Sequence, residues 1–191
     1  NQELYVACVG FFPDFQILDT APSQDFRDTT SSATDETELE MAFDTKIGCI
    51  VVDNFYEIAL LKEISEAKQQ KMNILLRVTP GVEAHTHDFI TTGQADSKFG
   101  FDLNNGQADE AFAQVKDHPY LNLLGLHCHI GSQIFETDGF ALAAGKVMNK
   151  MGAWKQTHGF ECSVLNLGGG FGIRYTEEDK PLEPHVYVEE M

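Results

Sequence analysis

The chain has 191 residues, 42% of them hydrophobic, enough for one domain with a continuous core. Its 13 Lys and Arg against 30 Asp and Glu leave a net charge of -17, and a surface that negative repels nucleic-acid phosphates and anionic lipid headgroups alike. No apolar run approaches the roughly 20 residues of a spanning helix, and no basic segment followed by an apolar one opens the N-terminus, so a cytoplasmic protein without nucleic-acid or membrane partners is expected.

The first third is irregular. Glu3 to Val9 reads as the tail of a helix, Phe15 to Asp19 as a strand, and Thr20 to Thr34, which has no apolar period, as a loop. Glu36 to Asp44 is predicted helical, with Leu39, Met41, Ala42 and Phe43 as its apolar share. From Lys46 onward short aliphatic runs alternate with amphipathic stretches, the pattern of parallel strands joined by crossover helices, and the fold class is α/β in one domain over residues 1–191. The strands are Gly48 to Val52, Asn73 to Val78, Asn122 to Cys128 and Ser163 to Leu167. Each shows little alternation, as strands covered on both faces do. Between them, Asn54 caps a helix into which Glu57 reaches back as a capping box, with Phe55, Ile58, Leu61 and Ile64 at helical spacing. A second helix runs from about Gln107 to Asp117 and is stopped by Pro119. A third starts near Asp138, buries Ala141, Val147, Met148 and Met151, and ends at Gly159, a residue suited to the left-handed terminal turn. The closing EPHVYVEEM opens another helix.

In such an architecture ligands collect where the C-terminal ends of strands release their loops. Three polar stretches fall there: TPGVEAHTHDFITTGQADSKFGFD, HIGSQIFETD and GGGFGIRY. The first is longer than the roughly 12 to 15 residues of an ordinary structureless connection. Gly168, Gly169 and Gly170 let backbone approach an anion and aim several N–H groups at it, because no Cβ intervenes. Phosphate is the natural guest, and a plain strand-to-helix turn is the alternative. The dinucleotide fingerprint G-x-G-x-x-G fails, since Ile173 stands at its last glycine. His127 and His129 point to one side of their strand and Cys128 to the other. Paired histidines suit a metal, and His85 with His87 forms a second pair, resembling the first ligands of amidohydrolases. The further strand-end histidine and carboxylate that such a hydrolase needs are not found after SVLNL. Ile130, Gly131 and Ser132 instead place a hydroxyl and backbone amides just beyond an imidazole, an arrangement for a phosphate ester whose ring lies under that imidazole. Cys8, Cys49, Cys128 and Cys162 lie far apart and read as reduced core residues.

VTPGVEAHTHDFITTGQADSKFGFDL, LLGLHCHIGSQIFETD and LNLGGGFGIRY resemble, in order and separation, three segments of the bacterial and plastid diaminopimelate decarboxylase family, a branch of the pyridoxal-phosphate decarboxylases with an alanine-racemase-like barrel. The resemblance runs from about Glu3 to the end, and its H-T-H-x-F-I-x-T-G-x-x-D-S-K-F-G run sets this branch apart from the ornithine and arginine ones. It implies pyridoxal 5'-phosphate as cofactor, with His129 stacked on the ring, Ser132 and Gly168 to Gly170 holding the phosphate, and Arg77 nearby. Lys98 is implied to be an exposed or loop-bracing residue, because the family's Schiff-base lysine belongs to an earlier strand that would precede Asn1. The implied enzyme is a carboxy-lyase of lysine biosynthesis that removes CO2 from meso-diaminopimelate, acts on a small amino-acid substrate, forms a homodimer at full length, and works in bacterial cytoplasm or plastid stroma.

The fold expected from this resemblance is a partial TIM-type (β/α)8 barrel, about strands 3 to 7, lacking the first strands, the last strand and the C-terminal β domain. The H-G-N-N-K-like stretch expected near Asp19 is replaced by DTAPSQD. A central fragment of this kind is expected to be inactive alone, with no catalytic residue of its own and no metal. The alternatives are a non-catalytic remnant that binds a phosphate compound or a partner chain, and a metal-dependent hydrolase built on the H-x-H pairs. An opened barrel should leave Phe15 to Asp19 and SVLNL as bare edge strands, and so aggregate or dimerise.

Overall fold

The computed structural model describes residues 5–7, 29–30, 35–82 and 99–191. The strands among these residues are β1 (Tyr5–Ala7), β2 (Thr29–Thr30), β3 (Cys49–Val52), β4 (Met72–Thr79), β5 (Phe101–Asp102), β6 (Leu121–His127) and β7 (Val164–Asn166). They join in the order β1-β7-β6-β4-β3-β2, with β5 on the end of β4, and every pairing is parallel. The helices are α1 (Glu36–Asp44), α2 (Phe55–Lys68), α3 (Gln107–Val115), α4 (Asp138–His158) and α5 (Pro184–Glu190).

Local chemistry fixes the helix ends. Asp35 accepts a hydrogen bond from the Glu38 amide at 2.9 Å while the Glu38 carboxylate accepts one from the Asp35 amide at 3.3 Å, a complete capping box for α1. At α2 the predicted box is displaced. Asn54 accepts from the Glu57 amide at 2.9 Å, but Glu57 accepts from the amide of Asp53, one residue before the cap, at 2.7 Å. α4 ends on Gly159 with φ 67°, the left-handed turn expected of it.

Alternate residues along each strand face opposite ways. One set, including Ile50, Val52, Ile74, Leu76, Leu126 and Leu165, merges with the apolar faces of the helices into a single large core. The other set, Cys49, Val51, Leu75 and Val164, forms a small separate cluster on the opposite face. Both faces are covered, which explains the weak alternation in the sequence. Across β4 and β6 the register slips at Ile74/Leu75, so that Leu75 faces Gly125 and Leu124 is an extra residue on β6. Gly125 is required there, because a Cβ would come within 1.9 Å of the Val164 carbonyl oxygen on β7.

Several expectations are corrected. Tyr5 to Ala7 is a strand rather than the tail of a helix, and it pairs with β7 in register Tyr5↔Val164. A row of unpaired backbone groups along β7 outweighs local helical preference, and SVLNL is therefore no edge. Within the predicted loop, Thr29 and Thr30 pair with Cys49 and Ile50, as β-branched residues beside an open ladder will. The predicted strand at 15–19 lies outside the described residues. In α4, Ala141 is only half-buried and Met148 is exposed, while Phe140, Ala143, Ala144 and Trp154 join Val147 and Met151 inside. Met41 of α1 also faces solvent. β5 had no sequence signal, since its two residues are defined only by their pairing with Val78 and Thr79.

Candidate cofactor site

The second face of the sheet turns polar at the C-terminal ends of its strands. The slip at Leu124 brings His127 into register with Arg77 on β4, and His127 is in turn level with Asn166 on β7. Asp53, one residue past β3, completes the row, its Oδ1 lying 3.3 Å from Arg77 Nη1. Four neighbouring strands therefore each contribute one polar side chain at the same level.

Arg77 is almost wholly buried and is held from two sides, by Asp53 and by the face of Phe99, whose centroid is 4.7 Å from the guanidinium carbon. Asp53 also accepts from the Gly100 amide at 3.1 Å, so its carboxylate ties β3 to the segment that enters β5. Burial pulls the Arg77 pKa down, and the Asp53 carboxylate opposes that shift. Desolvation, and then the Arg77 cation, lower His127 to about 4, against a side-chain hydrogen bond with Asn166 that favours the charged ring. The same two causes lower His129. Both imidazoles are neutral at physiological pH. The Nδ1 atom of His127 is buried without a hydrogen-bond partner, an orphaned polar atom in the middle of the row.

Beyond the row, two loops meet. Asn166 Oδ1 accepts from the Gly168 amide at 2.9 Å and so starts the glycine turn. Gly168 has φ 72° and Gly170 φ 101°, a region glycine enters without strain. A Cβ on Gly168 would stand 2.5 Å from the Cys128 carbonyl oxygen and 3.1 Å from His129 Nδ1, and one on Gly170 would stand 1.8 Å from the Gly131 carbonyl oxygen. The glycines thus bring one loop directly against the His129 ring and the backbone of the other. Ser132 lies half-buried three residues beyond His129.

The expected residues Arg77, His129, Ser132, Gly168, Gly169 and Gly170 all belong to this end of the sheet. Cys128 points away into the helix-side core, as the parity argument required. Lys98, His85 and His87 lie outside the described residues. Among the described residues no group of three or more His, Cys, Asp and Glu side chains has metal-holding geometry, and no helix is long and apolar enough to cross a membrane. Sequence reading missed Asp53 and Asn166 and took Glu57 only as a cap. The available signal was a polar residue closing an aliphatic run at even spacing from inner-face residues: Cys49, Val51, Asp53 and Val164, Asn166.

The donor set fits an aromatic ring carrying an anionic arm: two glycine-containing loops whose backbones approach closely, a serine hydroxyl, a neutral imidazole against the glycine turn, and a buried cation. The fold and this site agree with a match to a family of cofactor-dependent enzymes. Residues 29–191 match the pyridoxal binding domain of the pyridoxal-dependent decarboxylases, and the chain belongs to that family. It is 54% identical over 189 residues to diaminopimelate decarboxylase of Bacillus subtilis, covering 99% of this chain and 41% of that protein. It is 60% identical over 154 residues to diaminopimelate decarboxylase of Halalkalibacterium halodurans, covering 81% of this chain and 35% of that one. Its fold is similar to the crystal structure of diaminopimelate decarboxylase from Helicobacter pylori complexed with L-lysine, with TM-score 0.74 and 28% identity over 82% of this chain and 39% of that chain. The chain therefore spans about two fifths of the length of these relatives.

Proposed function

We propose that this chain holds pyridoxal 5'-phosphate at the C-terminal end of its sheet and forms the cofactor-binding part of a diaminopimelate decarboxylase, which removes CO2 from meso-diaminopimelate to give lysine. The observation that carries the reading is the junction of the His129 ring with the Gly168 to Gly170 turn, directly above the Asp53, Arg77, His127 and Asn166 row. The relatives' names and the L-lysine held by the Helicobacter pylori enzyme support the amino-acid substrate. The parallel sheet with its crossover helices supports a (β/α)8 barrel of which this domain, residues 1–191, supplies about strands 3 to 7. The bacterial relatives support a bacterial cytoplasmic setting, and a homodimer is the assembly proposed for the full-length enzyme.

Bound pyridoxal phosphate supplies an electron sink for the carbanion left by loss of CO2. The residues of this chain bind and orient it. His129, held neutral by burial and by the Arg77 cation, would offer an uncharged ring for the cofactor ring to stack on. The Ser132 hydroxyl and the amides of Gly169 and Gly170 would donate to the phosphate oxygens, charge-assisted bonds stronger than neutral ones, while the Gly168 amide, held by Asn166 Oδ1, shapes the turn that presents them. Arg77, fixed by Asp53 and Phe99, would keep a positive charge near the cofactor without a mobile side chain.

Equilibrium dialysis of the chain against pyridoxal 5'-phosphate tests this reading. Inorganic phosphate should compete, and Ser132→Ala should weaken binding about tenfold, the loss of one charge-assisted bond. Binding indifferent to phosphate and to Ser132→Ala would sink it.

A further inference from the structure

The two loops that meet under His129 do more than touch. Ile134 and Phe171 form a parallel bridge outside the main sheet, in which the Ile134 amide donates to the Gly170 carbonyl at 3.0 Å and the Gly172 amide donates to the Ile134 carbonyl at 2.8 Å. Gln133 extends this bridge with its side chain. Its Oε1 accepts from the Ile173 amide at 2.9 Å and its Nε2 donates to the Ile173 carbonyl at 3.0 Å, so the carboxamide pairs with backbone as a second strand would. Gln133 does this from φ 58°, a left-handed conformation that a glutamine adopts rarely. Such an outlier persists only where its surroundings hold it, and the paired carboxamide is what holds it here.

Behind the bridge stands Tyr187 of α5. It is fully buried, stacks on Phe171 with ring centroids 4.7 Å apart, meets Phe140 edge-on at 5.9 Å, and donates from its hydroxyl to the Ile134 carbonyl at 3.1 Å. The Ile134 carbonyl thus receives a backbone amide from one loop and a phenol from the last helix. Glycine is needed on the far side as well, since a Cβ on Gly172 would press to 2.6 Å from the Phe135 ring. None of these contacts involves Asp53, Arg77, His127 or Asn166. The Gln133 and Tyr187 contacts therefore hold the loop junction in addition to the bond that Asn166 makes at the start of the glycine turn.

We propose that Gln133, backed by the Tyr187 hydroxyl, is a positioning residue that locks the His129–Ile134 loop onto the Gly168–Ile173 loop so that amides from both converge on one phosphate. The proposal rests on the reading of these loops as the cofactor-phosphate site. It assigns the phosphate's hold to a relation between loops: either loop alone has amides, but only the clamp keeps both sets aimed at one point. Neither Gln133 nor Tyr187 needs to touch the cofactor.

The test compares pyridoxine 5'-phosphate with pyridoxine, which differ only in the phosphate, by equilibrium dialysis against the wild-type chain, Gln133→Gly and Tyr187→Phe. Glycine accepts the left-handed backbone more readily than glutamine, so Gln133→Gly removes the carboxamide and relieves the conformation together. Tyr187→Phe removes one hydroxyl and keeps the stacked ring. The preference for the phosphorylated ligand should fall about tenfold in Gln133→Gly and about threefold in Tyr187→Phe, while pyridoxine itself binds as before. A merely structural role would lower the thermal midpoint and weaken both ligands equally, which would overturn the clamp. A wild-type preference that both variants keep in full would also overturn it. A wild-type chain that binds the two ligands equally would overturn the cofactor reading underneath, and the clamp with it.

Discussion

The two faces of the sheet are made from the same strands, yet they are organised on different terms. Facing the helices, Ile50, Val52, Ile74, Leu76, Leu126 and Leu165 enter one continuous core with α1 to α4. On the other face, Cys49, Val51, Leu75 and Val164 make a small apolar floor, and Asp53, Arg77, His127 and Asn166 stand as a polar row above it. Side chains one residue apart therefore sit in opposite environments: Leu76 in the core, Arg77 in the row. The helix face gains from each residue separately, by area removed from water. The polar face works only as a set, because each buried group there depends on its neighbour for hydrogen bonds or charge.

The two faces depend on one register, and the largest effect should come from disturbing it. Gly125→Ala would drive a Cβ to within 1.9 Å of the Val164 carbonyl oxygen, a collision with backbone that no side-chain rotation relieves. It should cost more than about 4 kcal/mol in urea denaturation and abolish cofactor binding together with the fold. A cost under about 1 kcal/mol would mean that β6 and β7 can slide without penalty, and the row would lose its structural basis.

Next in size is a contrast between neighbours. Leu76→Ala should cost about 2 to 5 kcal/mol through lost burial and the cavity left behind. Arg77→Met should cost a similar 3 to 5 kcal/mol for another reason, the buried Asp53 carboxylate left without its cation. Combination separates the two. Adding Asp53→Asn to Arg77→Met should recover about 1 to 3 kcal/mol, whereas adding it to Leu76→Ala should be additive within about 0.5 kcal/mol. Additivity in both pairs would show that the polar row is not coupled.

Much of this contrast can be read in the sequence, and what cannot has a physical cause. The aliphatic runs from Gly48 to Leu167 locate β3, β4, β6 and β7 because burial on both faces leaves a composition as well as a period. The glycine run and the H-I-G-S segment are legible because left-handed backbone and close approach demand particular residues. β1, β2 and β5 are two or three residues long, and their identity lies in what they pair with, which no local window contains. Asp53 and Asn166 leave only a faint local mark, a polar residue closing an aliphatic run, and their alignment in a row is a matter of register: the slip at Leu124 decides that His127 and not a neighbour stands level with Arg77. Met148 and Ala141 show the limit of helical spacing in α4, where apolar residues occur around much of the circumference and only the packed sheet selects a face.

The polar face should also reveal itself in acid, where the helix-side core should not. His127 titrates near 6.5 when unfolded and at about 4 when folded, so between these values the unfolded chain binds the extra proton. Stability present above pH 6.5 is then lost as pH falls toward 4, up to about 3 kcal/mol at roughly 1.4 kcal/mol per unit. His129 moves in the same direction and adds to the slope. His127→Asn should flatten this dependence by one proton in urea melts taken across that range. An unchanged slope would place the titrating group elsewhere.

The smallest effect is expected at a surface pair whose geometry is tighter than that of the buried one. Lys68 and Asp44 join α2 to α1 with 2.5 Å between charged atoms, closer than the 3.3 Å of Arg77 and Asp53. Distance alone would rank the surface pair first. Burial reverses the order. The Asp44 side chain is 66% exposed, so water and salt screen the attraction and solvate either ion once its partner is gone, whereas the Asp53 side chain is 7% exposed and has no such recourse. Asp44→Asn should therefore cost under about 1 kcal/mol at low ionic strength and nearly nothing in 1 M salt, while the Arg77→Met penalty should persist in both. If the Asp44 variant lost as much as the Arg77 variant, or lost it equally in high salt, separation rather than burial would govern the ion pairs, and the distinction between the two faces would have to be drawn on other grounds.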